Sequence, residues 1–126
     1  MLLAFLFSLI LSNQNPSVLT VPAQIREVKV TEEVPPETIQ QIATKVAESN
    51  KLNVEHFLSV IECESSFNPN AVGDSGRSFG IAQIFLPAHP EITKKEALDP
   101  EWALHWMANE WVHDRYREWS CYNNLY

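Results

Sequence analysis

Two glutamates two positions apart, Glu62 and Glu64, stand in the stretch VIECESSFNPNAVGDSGRSFGIAQI (residues 60–84), on either side of Cys63, one of only two cysteines in the chain. All three glycines, Gly73, Gly76 and Gly80, follow within the same stretch. A carboxyl group can move a proton during bond cleavage if its surroundings bring its pKa near the working pH. Helix geometry separates the two candidates. At about 100° per residue, positions two apart point to nearly opposite sides. Glu62 falls between Glu55 and Ser59 on the polar side, the place of a solvated charge. Glu64 falls between Phe57 and Val60, at the edge of the apolar stripe and close to the helix's C-terminal end. Lost solvation and the negative end of the helix dipole both raise a carboxyl's pKa there, as a general acid requires. On these residues alone Glu64 reads equally as a general acid or as a structural, capping or salt-bridged carboxylate.

The loop after it leaves a similar choice. Its glycines let backbone approach a ligand or adopt positive φ, or they simply make tight turns. GDSGRSFG is not a phosphate cradle, because it lacks the Lys-Ser/Thr ending and no strand precedes it. His56, His89, His105 and His113 show no H-E-x-x-H spacing, and no serine lies in a G-x-S-x-G turn, which argues against a protease. They read as surface or core residues. Trp102, Trp106 and Trp111 could serve as stacking platforms for a ligand, but at helical spacing they read as core, whereas Trp119 is the better candidate for a cleft. Arg115 and Arg117 read as solvated.

Helices must position these groups. PETIQQIATKVAESN places Ile39, Ile42, Ala43, Val46 and Ala47 on one face of an amphipathic helix. Asn53 is the expected N-cap of VEHFLSVIECES, whose stripe is Val54, Phe57, Leu58 and Ile61. FNPNAVGDSGRSFG reads as loop, GIAQIF as a short turn or helix, and KKEAL as a single turn. DPEWALHWMANEWVHDRYREW reads as one long helix opened by Asp99 and Pro100. No convincing run of strands emerges, so the class is mainly α.

The chain of 126 residues has room for one small domain, and with 45% hydrophobic residues it can build a core. Sixteen acidic residues against nine basic ones give a net charge of -7. Nucleic acid is thereby disfavoured as a partner, since phosphate binding needs clustered Lys and Arg, and so is adhesion to an anionic membrane surface. Residues 2–11 are apolar apart from Ser8, too short to span a bilayer but the length of a signal-peptide core. No Lys or Arg precedes them and no A-x-A site follows, so the alternatives are a buried helix or a start codon placed inside a longer signal. We therefore read residues 1–12 as a signal peptide or short apolar anchor, the only route to membrane attachment. Residues 13–34, marked by Pro16 and Pro22 and lacking a helical stripe, read as a linker in which Val28 and Val30 could form a short strand. Residues 35–126 form the folded domain, expected to be monomeric. Export would place the two cysteines where a disulfide is permitted.

Several motifs in order resemble a known family. ESSFNPNA (residues 64–71), then GIAQI (residues 80–84), then LDPEWALHWMANEW and CYNN (residues 121–124) resemble the lysozyme-like soluble lytic transglycosylase (SLT) domain of bacteria and their phages. The resemblance implies a small lysozyme-like helical domain acting on peptidoglycan, secreted or held in the cell envelope. It places Glu64 at the catalytic acid/base, Gln83 at the cleft glutamine, and Tyr122 with Asn123 at the tyrosine segment beside the catalytic glutamate. Gly80 opens the GIAQI motif, in which Ile-Ala replaces the usual Leu-Met. The loop is one residue longer than the family pattern, so Asp74, Ser75 or Ser78 could stand at the substrate-contacting serine, and Ser75 is the choice made from the sequence. The family fold would also bring Cys63 and Cys121 together as a disulfide, the alternative being two buried free thiols. The implied chemistry cleaves the MurNAc-GlcNAc β-1,4 bond with a single acid/base, yields 1,6-anhydro-MurNAc products, and needs no metal and no organic cofactor. Two rivals stand beside it: a hydrolytic lysozyme in which Asp74 positions water, and a wall-binding module without turnover.

Overall fold

Thr38 opens the first helix of the domain with a capping box: the Thr38 N–H donates to Gln41 Oε1 (2.8 Å) and the Gln41 N–H donates to Thr38 Oγ1 (3.3 Å). The computed structural model describes residues 35–126, so the signal segment, the linker and the strand considered at Val28 and Val30 lie outside the described residues. Helix α1, Ile39–Ser49, buries Ala43, Val46 and Ala47 and half-buries Ile39 and Ile42, the face expected from the sequence. It closes with the Lys51 N–H donating to Glu48 O and the Leu52 N–H to Ala47 O, both at 3.0 Å, and Lys51 takes the left-handed turn at φ 57°.

Asn53 caps α2, Val54–Ser65, by accepting the His56 N–H at 2.9 Å. Phe57, Val60 and Ile61 are fully buried on its inner face. After α2, Ser66 and Phe67 both take positive φ, 51° and 57°, and turn the chain back over the helix end.

The following segment is a small antiparallel sheet and not a loop: β1 Val72–Gly73, β2 Ser78–Phe79 and β3 Ile84–Phe85, in the order β1-β2-β3. Val72 pairs with Phe79 and Gly73 with Ser78, then Ser78 with Phe85 and Phe79 with Ile84. Strands of two residues are too short to leave an alternating pattern, so the sequence reads as irregular there. Arg77 N–H and Gly76 N–H both donate to Gly73 O across the first turn. Gly80 lies buried at φ +76°, where a Cβ would stand 1.9 Å from the Ala97 carbonyl oxygen. Only glycine lets β2 lie this close to α3, Lys94–Leu98, which Thr93 and Glu96 cap reciprocally.

Asp99 accepts the Trp102 N–H (3.0 Å) to start α4, with Pro100 in its first turn, as expected. The long helix expected to run through Trp119 stops earlier, because α4 spans Pro100–Val112. The cause is a left-handed Asp114 (φ 61°), with the Asp114 N–H donating to Trp111 O and the Arg115 N–H to Glu110 O. Arg115 is not merely solvated. Its Nη2 donates to Glu110 Oε1 at 2.6 Å and its Nε to Glu110 Oε2, which holds this buried glutamate (8% exposed) below its usual pKa. A 3-10 turn, Tyr116–Glu118, leads into α5, Ser120–Leu125.

The core is built between α1, α2 and α4 and closed by the loop after β2: Phe57 and Ile61 join Leu104, Met107, Ile81 and Ile84. Trp111 packs edge-on to Phe57 (5.2 Å) and Tyr122 (5.5 Å) and lies 6.3 Å from Trp119, centroid to centroid, linking the core to the C-terminal turn. One covalent bond crosses the domain, the Cys63–Cys121 disulfide between α2 and α5, with Cα atoms 5.9 Å apart. The fold is thus mainly helical, with the sheet as its minor part.

Candidate active site

Glu64 belongs to the last turn of α2 and is half-buried, while Glu62 is exposed on the opposite side, as the helical geometry requires. Three features hold this turn in place. The Ser65 hydroxyl donates to Ile81 O at 2.8 Å, stitching α2 to the segment between β2 and β3. The disulfide fixes Cys63 to Cys121. The Cys121 N–H, in the first turn of α5 where no helical carbonyl can accept it, donates to Glu64 Oε1 at 3.1 Å. Burial raises the Glu64 pKa above its ordinary 4.5, the Cys121 N–H pulls the other way, and the nearby Asp74 charge adds to the rise.

Glu64 faces a cleft of about 420 Å³. One wall comes from the sheet: Asp74, Arg77, Ser78, Gln83, Ile84 and Phe85. The other carries His89, Trp106, Glu118, Trp119 and Ser120. Ser78 is 1% exposed and its hydroxyl donates to Asp74 Oδ2, orienting that carboxylate. Gln83, at φ 48°, donates from Nε2 to Gly80 O at 2.9 Å. The Trp119 indole N–H donates to Ala82 O at 2.8 Å, so this ring joins the two walls. Arg77 is held by Nε to Asp74 O (3.0 Å) and lies over the Phe85 ring. His89 stands between two carboxylates, 3.5 Å from Glu91 and 3.9 Å from Glu118, and its ring meets Trp106 edge-on. A half-buried acid beside aromatic rings and amide and hydroxyl groups is an arrangement suited to a sugar chain: the rings offer apolar faces and the polar groups read hydroxyl and acetamido substituents.

The Transglycosylase SLT domain family model matches residues 41–124. The chain belongs to this family. The match spans every element from the first turn of α1 to the last turn of α5, so the whole cleft lies inside it. Proteins with an SLT domain are typically lytic transglycosylases acting on peptidoglycan. No curated protein and no solved structure gives a match.

Within this SLT domain the residues named from the sequence fall into two groups. Glu64 and Gln83 line the cleft, and Trp119 does so with a ring only 5% exposed. Ser75 does not line it. It is exposed at the tip of the hairpin turn with φ 56°, whereas both alternatives considered for that place, Asp74 and Ser78, line the cleft. Gly80 is turned toward α3. The Tyr122 ring packs among Trp111, Tyr116 and Tyr126, and Asn123 is exposed, donating to Arg117 O at 2.9 Å. From this segment, Glu64 receives the backbone of Cys121. Sequence reasoning missed Arg77, His89, Glu118 and Ser120 as cleft residues and assigned Trp106 to the core in preference to a stacking platform. His89 and Trp106 are half-buried and not plain surface or core, and their only sequence cue was an aromatic-rich stretch that a core explains equally well.

Proposed function

We propose that this SLT domain is a peptidoglycan lytic transglycosylase in which Glu64 is the single acid/base, cleaving the MurNAc-GlcNAc β-1,4 bond. The observation that carries the reading is the placement of Glu64: half-buried in the family-matched cleft, with a raised pKa and one oxygen held by the Cys121 N–H. A carboxyl whose pKa is raised holds its proton to higher pH than a free one and can protonate the glycosidic oxygen as the C1–O bond breaks. The acetamido oxygen of MurNAc attacks C1 and takes up the developing positive charge. Glu64, now a carboxylate, removes the proton from the sugar's own 6-hydroxyl. Its oxygen closes on C1, the acetamido group is released, and a 1,6-anhydro ring results with no water consumed. Every proton removed from Glu64 returns to it, and the sequence of steps needs no metal or organic cofactor.

For substrate contacts, Gln83 and Ser78 on the sheet wall suit acetamido and hydroxyl groups, and Trp106 and Trp119 suit sugar faces. Ser78 suits the substrate serine better than Ser75, because it faces the cleft. Peptidoglycan and a disulfide both agree with an extracytoplasmic location. Asp74 favours one second reading: it lines the same cleft and its charge acts on Glu64, so it could position a water for hydrolysis.

The test is mass spectrometry of peptidoglycan digested by the purified protein, with Glu64→Gln alongside. Anhydro-muramyl products that vanish in Glu64→Gln are the expected result. Reducing-end products would support hydrolysis and make Asp74→Asn the next variant. Wall binding without release of any product would sink the enzyme reading and leave a binding module.

A further inference from the structure

We infer that the Cys63–Cys121 disulfide is a positioning pair for Glu64: it holds the Cys121 amide against the glutamate's carboxylate, so the cleft's acid/base is complete only in the oxidised protein. The inference rests on the reading of Glu64 as acid/base and adds how that group is set. The two half-cystines bracket the carboxylate chemically. Cys63 is the residue before Glu64, and Cys121 supplies the N–H that Glu64 Oε1 accepts at 3.1 Å. Of the α5 residues Cys121 alone is buried and Tyr122 is half-buried. Other ties hold the helix as a whole: the Tyr122 ring packs against Trp111 and Tyr116, Asn123 Nδ2 donates to Arg117 O, Tyr126 stacks on His56 at 3.9 Å, and the Trp119 indole N–H just before the helix donates to Ala82 O. None of these is made by Cys121 itself, whose position beside Glu64 is set directly by the bridge to Cys63.

The chemical consequence follows from which form of Glu64 the bond favours. A hydrogen bond to the carboxylate stabilises the anion left after proton donation, so its loss makes Glu64 a weaker acid and slows the donation. Other groups around Glu64 cannot replace it. Asp74, from the β1–β2 turn, opposes ionisation, and Arg77, His89 and Glu118 line the cleft without any hydrogen bond to Glu64 among the described residues.

The test compares oxidised protein with protein reduced by dithiothreitol, which gives up two electrons and two protons and closes to a cyclic disulfide as Cys63 and Cys121 become thiols. Circular dichroism checks that the reduced form remains folded. Release of soluble muropeptides is then followed against pH, and the Glu64 carboxyl is titrated by carbon-13 NMR in both forms. Reduction is expected to lower kcat about tenfold or more, the worth of one hydrogen bond to a charged group, with KM little changed. Activity falls as pH rises through the Glu64 pKa, so this alkaline limb and the NMR titration should both move to higher pH, and reoxidation should restore them. A folded reduced protein that keeps its kcat and its Glu64 titration overturns the inference. If reduction unfolds the chain, the double variant Cys63→Val with Cys121→Val takes its place, and unfolding of that variant too would show a general staple and overturn a positioning role. If the oxidised wild type releases nothing, the proposed activity has failed, while the NMR titration still decides whether the bridge sets Glu64.

Discussion

Glu64 holds its proton more tightly than a free carboxyl because burial removes water from its carboxylate more effectively than the Cys121 N–H replaces it, and because Asp74 adds a like charge nearby. The same imbalance has a consequence for stability. The folded pKa lies above the ordinary 4.5, so between the two values the folded state binds more protons than the unfolded one. Stability from this group is therefore greatest below the unfolded pKa and declines as pH rises through the window up to the folded pKa. Glu64→Gln removes the ionisable group but keeps an oxygen to accept the Cys121 N–H. Thermal melts should place the variant above the wild type at about pH 7, with the gap closing at about pH 3.5, where both states are protonated. A gap that stays constant with pH would show that the effect comes from packing and not from the carboxyl.

Gly80 shows how an element rather than a side chain shapes the cleft. It does not itself line the cleft, yet it lets β2 pack on α3 so closely that a Cβ would overlap the Ala97 carbonyl, and it does so at φ +76°. Gly80→Ala combines positive-φ strain with overpacking and is expected to cost about 2–4 kcal/mol in urea denaturation. A loss below about 1 kcal/mol would mean that α3 moves away from β2 by roughly an ångström or more at little cost. The early stop of α4 acts at the same scale. Asp114 and the Arg115–Glu110 pair turn the chain, and only that turn brings Glu118, Trp119 and Ser120 back to the cleft wall and Cys121 to Glu64.

For the whole molecule the disulfide is also a staple, because it joins residues 58 apart in a domain small enough that its core is modest. Restricting the unfolded chain over such a loop is worth roughly 2–4 kcal/mol in the chain-entropy account. Urea denaturation with and without reductant should differ by this amount. A difference near zero would mean that the reduced, unfolded chain retains structure of its own. This measurement is separate from the positioning role, which is read from kcat and from the Glu64 titration in protein that remains folded.

The apolar spacing of α1 and α2, the Asn53 and Asp99 caps and the placement of Glu64 at the edge of its stripe were legible in the sequence, because they depend on residues within a few positions of one another. The family likeness added the order of motifs and the expected meeting of Cys63 with Cys121. The two-residue strands were not legible, since pairing partners rather than local pattern define them. Nor was the break after Val112, where a left-handed aspartate and a pair between Arg115 and Glu110 outweigh good helix-forming residues. The second wall of the cleft was the largest omission. His89 lies in the connection between β3 and α3, Trp106 on α4 and Glu118 in the 3-10 turn before α5, and only the packing of those segments gives them a common face. In the same way Tyr122, the residue the motif pointed to, turns into an aromatic cluster while its neighbour's backbone reaches Glu64. Local propensity decided which helices form and which glutamate meets the apolar edge. Long-range packing decided what surrounds that glutamate, because its partners lie far along the chain and contribute backbone and buried rings that carry no signature in sequence.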